Sequence, residues 1–296
     1  MHALSTSWYG HRHSEIQPMF NECLVVGFSG LELAHAAPKG LWEGFQYFID
    51  AGFIRIPSLD VAELQELPPP TLTDGSKKGR EEAIKHVIEA LFLGQKLRSE
   101  RVILDLGNST MEPITPRLAK LIEEGGQYGR EYCELKQKGV TRREALGAKT
   151  LDLVREALTH LTPWVKETGV GLALRTGATY ESYPSEREIS TLLQEFPRSL
   201  VGYWHDFARC QVKSNLAFLN HETWLRSVAG DVVGCHLNDC KWPQTTGMIP
   251  FHGAIGFDRL VPLLPKEIPK VWRVDSRRKS VELSTALTRW KELWGD

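Results

Sequence analysis

The chain has 296 residues, 42% of them hydrophobic and 25% charged, and its 36 Lys+Arg against 37 Asp+Glu leave a formal net charge of -1. That length excludes a small disulfide-stapled domain and suits one α/β barrel, for which about 250 residues plus insertions is usual. Near-neutrality excludes a global electrostatic drive toward nucleic acid or an anionic membrane, so a small-molecule metabolite is the expected partner; homo-oligomerisation stays open.

The five cysteines, Cys23, Cys133, Cys210, Cys235 and Cys240, are odd in number and lack paired metal-type spacing. They read as reduced thiols of a cytoplasmic protein. The opening MHALSTSWYGHRH has no basic start, long apolar stretch or small-residue cleavage site, so a signal peptide is not expected. No run approaches membrane-spanning length.

Short apolar runs alternate with segments of helical period, the pattern of βα units around a parallel sheet. Strands are expected at 2–8 (HALSTSW), 30–33 (GLEL), 53–57 (FIRIP), 101–106 (RVILDL), 170–174 (VGLAL), 200–205 (LVGYWH), 232–237 (VVGCHL) and 270–274 (KVWRV). Helices fill the gaps. The clearest are 80–98, with Ile84, Val87, Ile88, Leu91 and Leu97 at helical spacing, and 280–294, with Leu283, Leu287, Trp290 and Leu293. Eight such units predict a single-domain (β/α)8 TIM barrel over residues 1–296. The gap between the fourth and fifth strands is too long for one helix. Residues 107–168 read as a helical insertion of two or three helices, serving either as a lid or as a stabilising hairpin.

Side chains alternate across a strand, so parity selects those that share the barrel interior. On the fifth strand Gly171, Ala173 and Arg175 face inward. The same count places Glu32, Arg55, Asp105, Asp206, His236 and Arg273 at comparable strand ends. Three acids, three arginines and a histidine make a ring close to neutral without a metal, whereas a divalent cation wants a surplus of carboxylates and neutral imidazoles.

These residues sit in segments that resemble a known family. YWHDFARCQ with HETWL after it, VGCHLNDC, and the Pro-Phe-His-Gly stretch before IGFDRL are similar to the region from strand six to strand eight of the xylose-isomerase-like sugar phosphate isomerases and epimerases. ALSTSW, GFSGLELA and GVGLALRTGATYESYPSEREISTLLQEFP fit the same pattern, so the resemblance spans nearly the whole chain. It implies divalent metal held by carboxylates and histidine at the strand ends. Asp206, His236 and Asp239 match that motif set. Arg175 and Arg273 stand where the family carries glutamates, Ala208 and Arg209 replace a Gly-His pair, and Asp105 replaces a histidine. Thr246 and Gly247 replace an Asp-His pair, and Phe251 replaces a loop glycine.

The resulting expectation is an isomerase- or epimerase-like protein acting on a small polar or anionic carbohydrate-type metabolite without the family's metal. Asp206, His236, Asp105 and Glu32 are the candidate proton-transfer groups. Arg175, Arg209, Arg273, Asp239, Trp8 and Trp204 are the candidate substrate contacts, the arginines offering bidentate forks to phosphate or carboxylate. No cofactor and no metal ligands are assigned; weak divalent binding has only Asp206 and His236 left to it. Each residue has a structural alternative. His236 pairs with Asp206 or Asp239, the arginines fill the metal's place as counter-ions, and the tryptophans belong to the core. His11 and His13 form either a substrate loop or a solvated one. Cys210 and Cys240 lack an activating base in sequence. The functional alternative is a non-catalytic barrel that binds a metabolite or a protein partner through the same mouth. Endonuclease-like action lacks both the metal cluster and a basic track.

Overall fold

Eight short, apolar strands pair in parallel in the computed structural model, which describes residues 1–10, 12–35, 41–64 and 70–295. They are β1 (His2–Ser5), β2 (Gly30–Glu32), β3 (Ser58–Asp60), β4 (Arg101–Leu104), β5 (Gly171–Arg175), β6 (Val201–Asp206), β7 (Val232–Leu237) and, after a β8 (Asp239–Lys241) and β9 (Thr245–Met248) hairpin, β10 (Lys270–Trp272). The order β2-β1-β10-β7-β6-β5-β4-β3 is closed by parallel bridges from Gly30 to Arg55 and from Leu33 to Leu59. The chain is thus a (β/α)8 barrel.

Helices α1 (Ile16–Val26), α2 (Gln46–Asp50) and α3 (Lys77–Lys96) cover the first strands, and α4 (Thr115–Glu123) and α5 (Arg130–Thr168) fill the long gap. After β5 come α6 (Glu186–Glu195), α7 (Phe207–Asn215), α8 (His221–Val228), α9 (Phe257–Leu260) and α10 (Ser280–Trp294). Local chemistry starts several of them. Ser185 and Glu188 form a capping box at α6, and the Asp206 carboxylate ends β6 and caps α7 by accepting from the Arg209 N–H at 3.0 Å.

Two apolar layers hold the barrel. Inside, Trp204 packs with Ala3, Ile103, Ala173, Val233 and Val271, and its size is accommodated by glycine at 234, where a Cβ would collide with the indole. Outside, residues of opposite parity such as Leu172, Leu174 and Tyr203 meet the helices. Each fully buried side chain of this kind stabilises by about 1.5–3 kcal/mol.

Two expectations need correction. The third strand lies at Ser58–Asp60 rather than 53–57, because Pro57 lends its carbonyl to the N–H groups of Glu100 and Arg101 and the ladder to β4 starts only beyond it. Arg55 is therefore exposed at the strand's entrance, at the end opposite the mouth, and Asp60 takes the strand-end position. The first strand stops at Ser5, and Trp8 lies on a 3-10 turn (Thr6–Trp8). The insertion is two helices, within the two or three expected: one short and one of 39 residues, with α5 running on through Gly139 and Gly147. Those glycines mark close approach instead of a break: a Cβ on Gly139 would collide with Ile114, and one on Gly147 would press on Glu188. Among the described residues no helix is long and apolar enough to cross a membrane.

Candidate active site

Closing the barrel brings the strand-end side chains into one ion network. At its centre Arg175, on β5 and fully shielded from solvent, donates to Asp60 Oδ2 at 2.6 Å. Its other terminal nitrogen lies 3.5 Å from Asp105 Oδ2. Arg273, just past β10, donates to the same Asp60 oxygen at 2.6 Å and lies 3.7 Å from Glu32 Oε1. Arg209, on the first turn of α7, reaches Asp105 at 3.5 Å, Asp206 at 3.6 Å and the Thr176 carbonyl at 3.2 Å.

His236 on β7 sits between two carboxylates. Its Nε2 is 2.8 Å from Glu32 Oε2, which also accepts from Ser58 Oγ at 2.9 Å, and its Nδ1 is 3.3 Å from Asp206 Oδ2 and 3.4 Å from Arg175. A neutral imidazole donates at one nitrogen only, whereas an imidazolium donates to both carboxylates. Four carboxylates against three guanidiniums leave the network's fixed charges at -1.

The electrostatics follow from these contacts. Burial works against ionising Asp60, but Arg175 and Arg273 outweigh it and hold the carboxyl well below the usual range. Burial of Asp206 is likewise outweighed, by the hydrogen bond from His236 and by Arg209. Glu32 is lowered in the same way, its burial offset by His236 and Arg273. For Arg175, desolvation is overcome by Asp60, and its pKa rises. Arg209 is lowered, by burial first and by the neighbouring Arg175 second.

Above the network opens a cavity of about 480 Å³ lined by Asp206, Arg209, Asn238, Thr246, Arg273 and Asp275, among others. Asp275 is held at about 2 by side-chain and backbone hydrogen bonds from Arg277. The cavity therefore presents guanidinium and carboxylate groups side by side, with hydroxyl and amide groups between them.

Of the sequence candidates, Asp206, Arg209 and Arg273 line this cavity. Glu32, Arg175 and His236 lie beneath it, fully buried, and Asp105 joins the network at its edge. Asp239 is placed elsewhere: its carboxylate accepts from the backbone N–H groups of Cys240, Gly253 and Ile255 at 2.7, 2.8 and 3.1 Å, so it pins the loop after β7. Trp204 plugs the barrel interior below His236, 5.4 Å from its ring. Trp8 packs in the outer layer, its Nε1 donating to the Arg278 carbonyl at 2.9 Å and Arg12 lying over its ring. His13 is tied to Glu22 at 2.7 Å, and His11 lies outside the described residues. Parity counting missed Asp60 because the third strand was placed too early. An acid directly after Leu59 in Pro57-Ser58-Leu59-Asp60 was the available signal.

The resemblance implies a divalent metal here, and the donor set does not suit one. The position between Asp60, Asp105 and His236 is taken by the Arg175 guanidinium, which repels a cation at short range even through an effective dielectric of about 20.

A parallel eight-stranded barrel with a polar strand-end site defines the class. Its fold is that of the xylose-isomerase-like barrels, and 131 solved chains match. They include 3-keto-D-glucoside 4-epimerase YcjR from E. coli, at a TM-score of 0.68 and 12% identity, covering 98% of this chain and 98% of that one. The probable 3-DHS dehydratase AsbF from Bacillus anthracis gives a TM-score of 0.68 at 11% identity, over 98% of each chain. The IolI protein, solved with a bound zinc atom, gives 0.66 at 13% identity over 97% of this chain and 95% of that one. No family model and no curated protein matches the sequence.

Proposed function

We propose that the mouth binds a small polyhydroxylated metabolite carrying a carboxylate or phosphate, and that the protein acts on it as an isomerase or epimerase without a divalent metal at the mouth. The observation that carries this reading is the cavity in which Arg209 and Arg273 stand beside Asp206, directly above the Arg175–Asp60 pair. A guanidinium fork suits an oxyanion, whether a substrate's anionic group or the enediolate formed when a proton leaves the carbon beside a carbonyl. Of the two cavity-lining carboxylates, Asp275 is held by Arg277, and Asp206 is the one assigned to take that proton, with His236 behind it to share the charge. The similarity to sugar epimerases supports the same chemistry.

One observation favours a second reading, a barrel that binds without turning over. Both oxygens of Asp206 are already engaged, by the Arg209 N–H and by His236, and its depressed pKa makes it a weak base. Incubation in D₂O with a panel of keto-sugars, sugar acids and sugar phosphates separates the two. The isomerase reading expects deuterium at the carbon beside the carbonyl, lost in Asp206→Asn while the ligand-induced thermal shift remains. A thermal shift with no exchange for any ligand of the panel supports the binding-only reading.

A further inference from the structure

On the opposite face of β6, away from the mouth, three residues that lie apart in sequence converge in the packed layer between the strand and its helices. His205 points outward from the strand, Cys210 comes from α7, and His221 opens α8. All three are buried, one ligand atom from each lies within 4.8 Å of the others, and Cys210 Sγ stands 3.9 Å from His205 Nδ1, so it has to swing toward the Nε2 side of that ring to share an ion with both imidazoles. The two imidazoles turn their Nε2 atoms toward each other at 3.0 Å. Their far nitrogens are each anchored on oxygen, His221 Nδ1 on Gln211 Oε1 at 3.0 Å and His205 Nδ1 on the Tyr203 hydroxyl at 3.2 Å. Metal-binding histidines are oriented in this way, the second nitrogen donating to an oxygen acceptor. Without an ion, a single proton between the two Nε2 atoms satisfies the pair.

We propose that His205, His221 and Cys210 form a binding site for a thiophilic d10 cation, Cu(I) or Zn(II), separate from the barrel mouth. One thiolate with two neutral imidazoles suits such ions. Two nitrogens on one ion at about 2.0 Å lie about 3.3–3.5 Å apart, so a separation of 3.0 Å needs only a small widening. The proton balance closes. Burial, with Glu186 adding to it, pushes the Cys210 thiol up to about 12, so loading releases the Sγ proton to solvent. His205 moves its proton from Nε2 to Nδ1, where the Tyr203 oxygen accepts it. That oxygen also accepts from Trp224 Nε1 at 3.0 Å, and its own hydrogen is then free to turn to Cys210 Sγ at 3.6 Å. Every polar atom keeps a partner. With Cu(I) the buried assembly is neutral, and with Zn(II) it carries one positive charge next to Asp206.

The test uses the full chain with Cys133→Ser, which removes the exposed thiol, loaded anaerobically with Cu(I) against a competing chelator and separately with Co(II) as a spectroscopic probe for Zn(II). One equivalent of either ion is expected, Co(II) showing a thiolate charge-transfer band. Cys210→Ala should abolish the band and the binding, and Gln211→Ala, a milder change, should weaken affinity by about 10–100-fold. His236→Asn, at the mouth, should leave both unchanged. Retention of neither ion, or binding that survives Cys210→Ala and is lost in His236→Asn, overturns the proposal. Circular dichroism of each variant separates lost binding from lost folding.

Discussion

Arg175 carries a full charge in a place without water, and its tenancy depends on Asp60 at 2.6 Å and Asp105 at 3.5 Å. Removing one member of a buried pair costs more than the pair contributes, because the partner is stranded. Arg175→Met is therefore expected to destabilise the protein by about 3–5 kcal/mol, read as a lower denaturant midpoint. Arg209 differs. It faces the cavity, its contacts to Asp105 and Asp206 are 3.5 and 3.6 Å, and neither carboxylate depends on it alone. Arg209→Met should change stability by about 1 kcal/mol or less, as expected for a partly solvated pair. It should remove the thermal shift given by any anionic ligand of the mouth. An intact shift in Arg209→Met would move the anion site away from α7. The asymmetry between these arginines comes from depth, a property that spacing along the chain does not encode.

At the scale of elements, the long insertion is fastened to the loop after β5. Glu181 is buried and accepts from the N–H groups of Ile114 and Thr115 and, at 2.9 Å, from the Thr115 hydroxyl, at the start of α4. Arg143 on α5 grips both oxygens of Glu188 at 2.8 Å and lies 4.0 Å over the Tyr183 ring. These charge-assisted contacts tie the insertion to the segment after β5, and Thr115 contributes to the cavity. Glu181→Gln loses that charge assistance and should destabilise α4 by about 1–3 kcal/mol, seen as faster amide exchange over 115–123; exchange equal to the parent's would show that α4 is held by its apolar face alone. The barrel and most strand ends were legible in the sequence, because parallel strands buried on both faces must be short and apolar and because parity is strict within each strand. Legibility failed where one pattern served two geometries. FIRIP alternates like a strand, yet Pro57 delays the ladder. The union of His205, Cys210 and His221 had no local signal, since it arises from three elements folding around β6.

At the scale of the whole molecule, the mouth is an internal salt whose ions hold one another in place across β2, β3, β5, β6, β7 and the segment after β10. Its stability contribution therefore depends on all the carboxylates staying ionised. Asp60, Asp206 and Glu32 have folded-state pKa values below their ordinary ones. A group depressed in this way contributes fully above its unfolded pKa, about 3.9 for Asp and 4.3 for Glu, and loses that contribution as pH falls toward its folded value. In that range the unfolded chain binds more protons than the folded one, so unfolding free energy should rise with pH. The expected profile, from denaturant midpoints at intervals between pH 7 and pH 2.5, is a first decline below about pH 6.5, where burial keeps His205 and His221 neutral in the fold while unfolded imidazoles take up protons, and a steeper one below about pH 5 as the carboxylates titrate. In Asp60→Asn stability at pH 7 should be lower, since Arg175 and Arg273 lose their shared acceptor, and the decline below about pH 5 shallower, since one depressed carboxyl no longer titrates. A variant less stable at pH 7 but with the parent's slope below pH 5 would mean that Asp60 does not supply the linkage, and the acid sensitivity would then belong to Asp206 and Glu32 around His236 and to the buried His205 and His221.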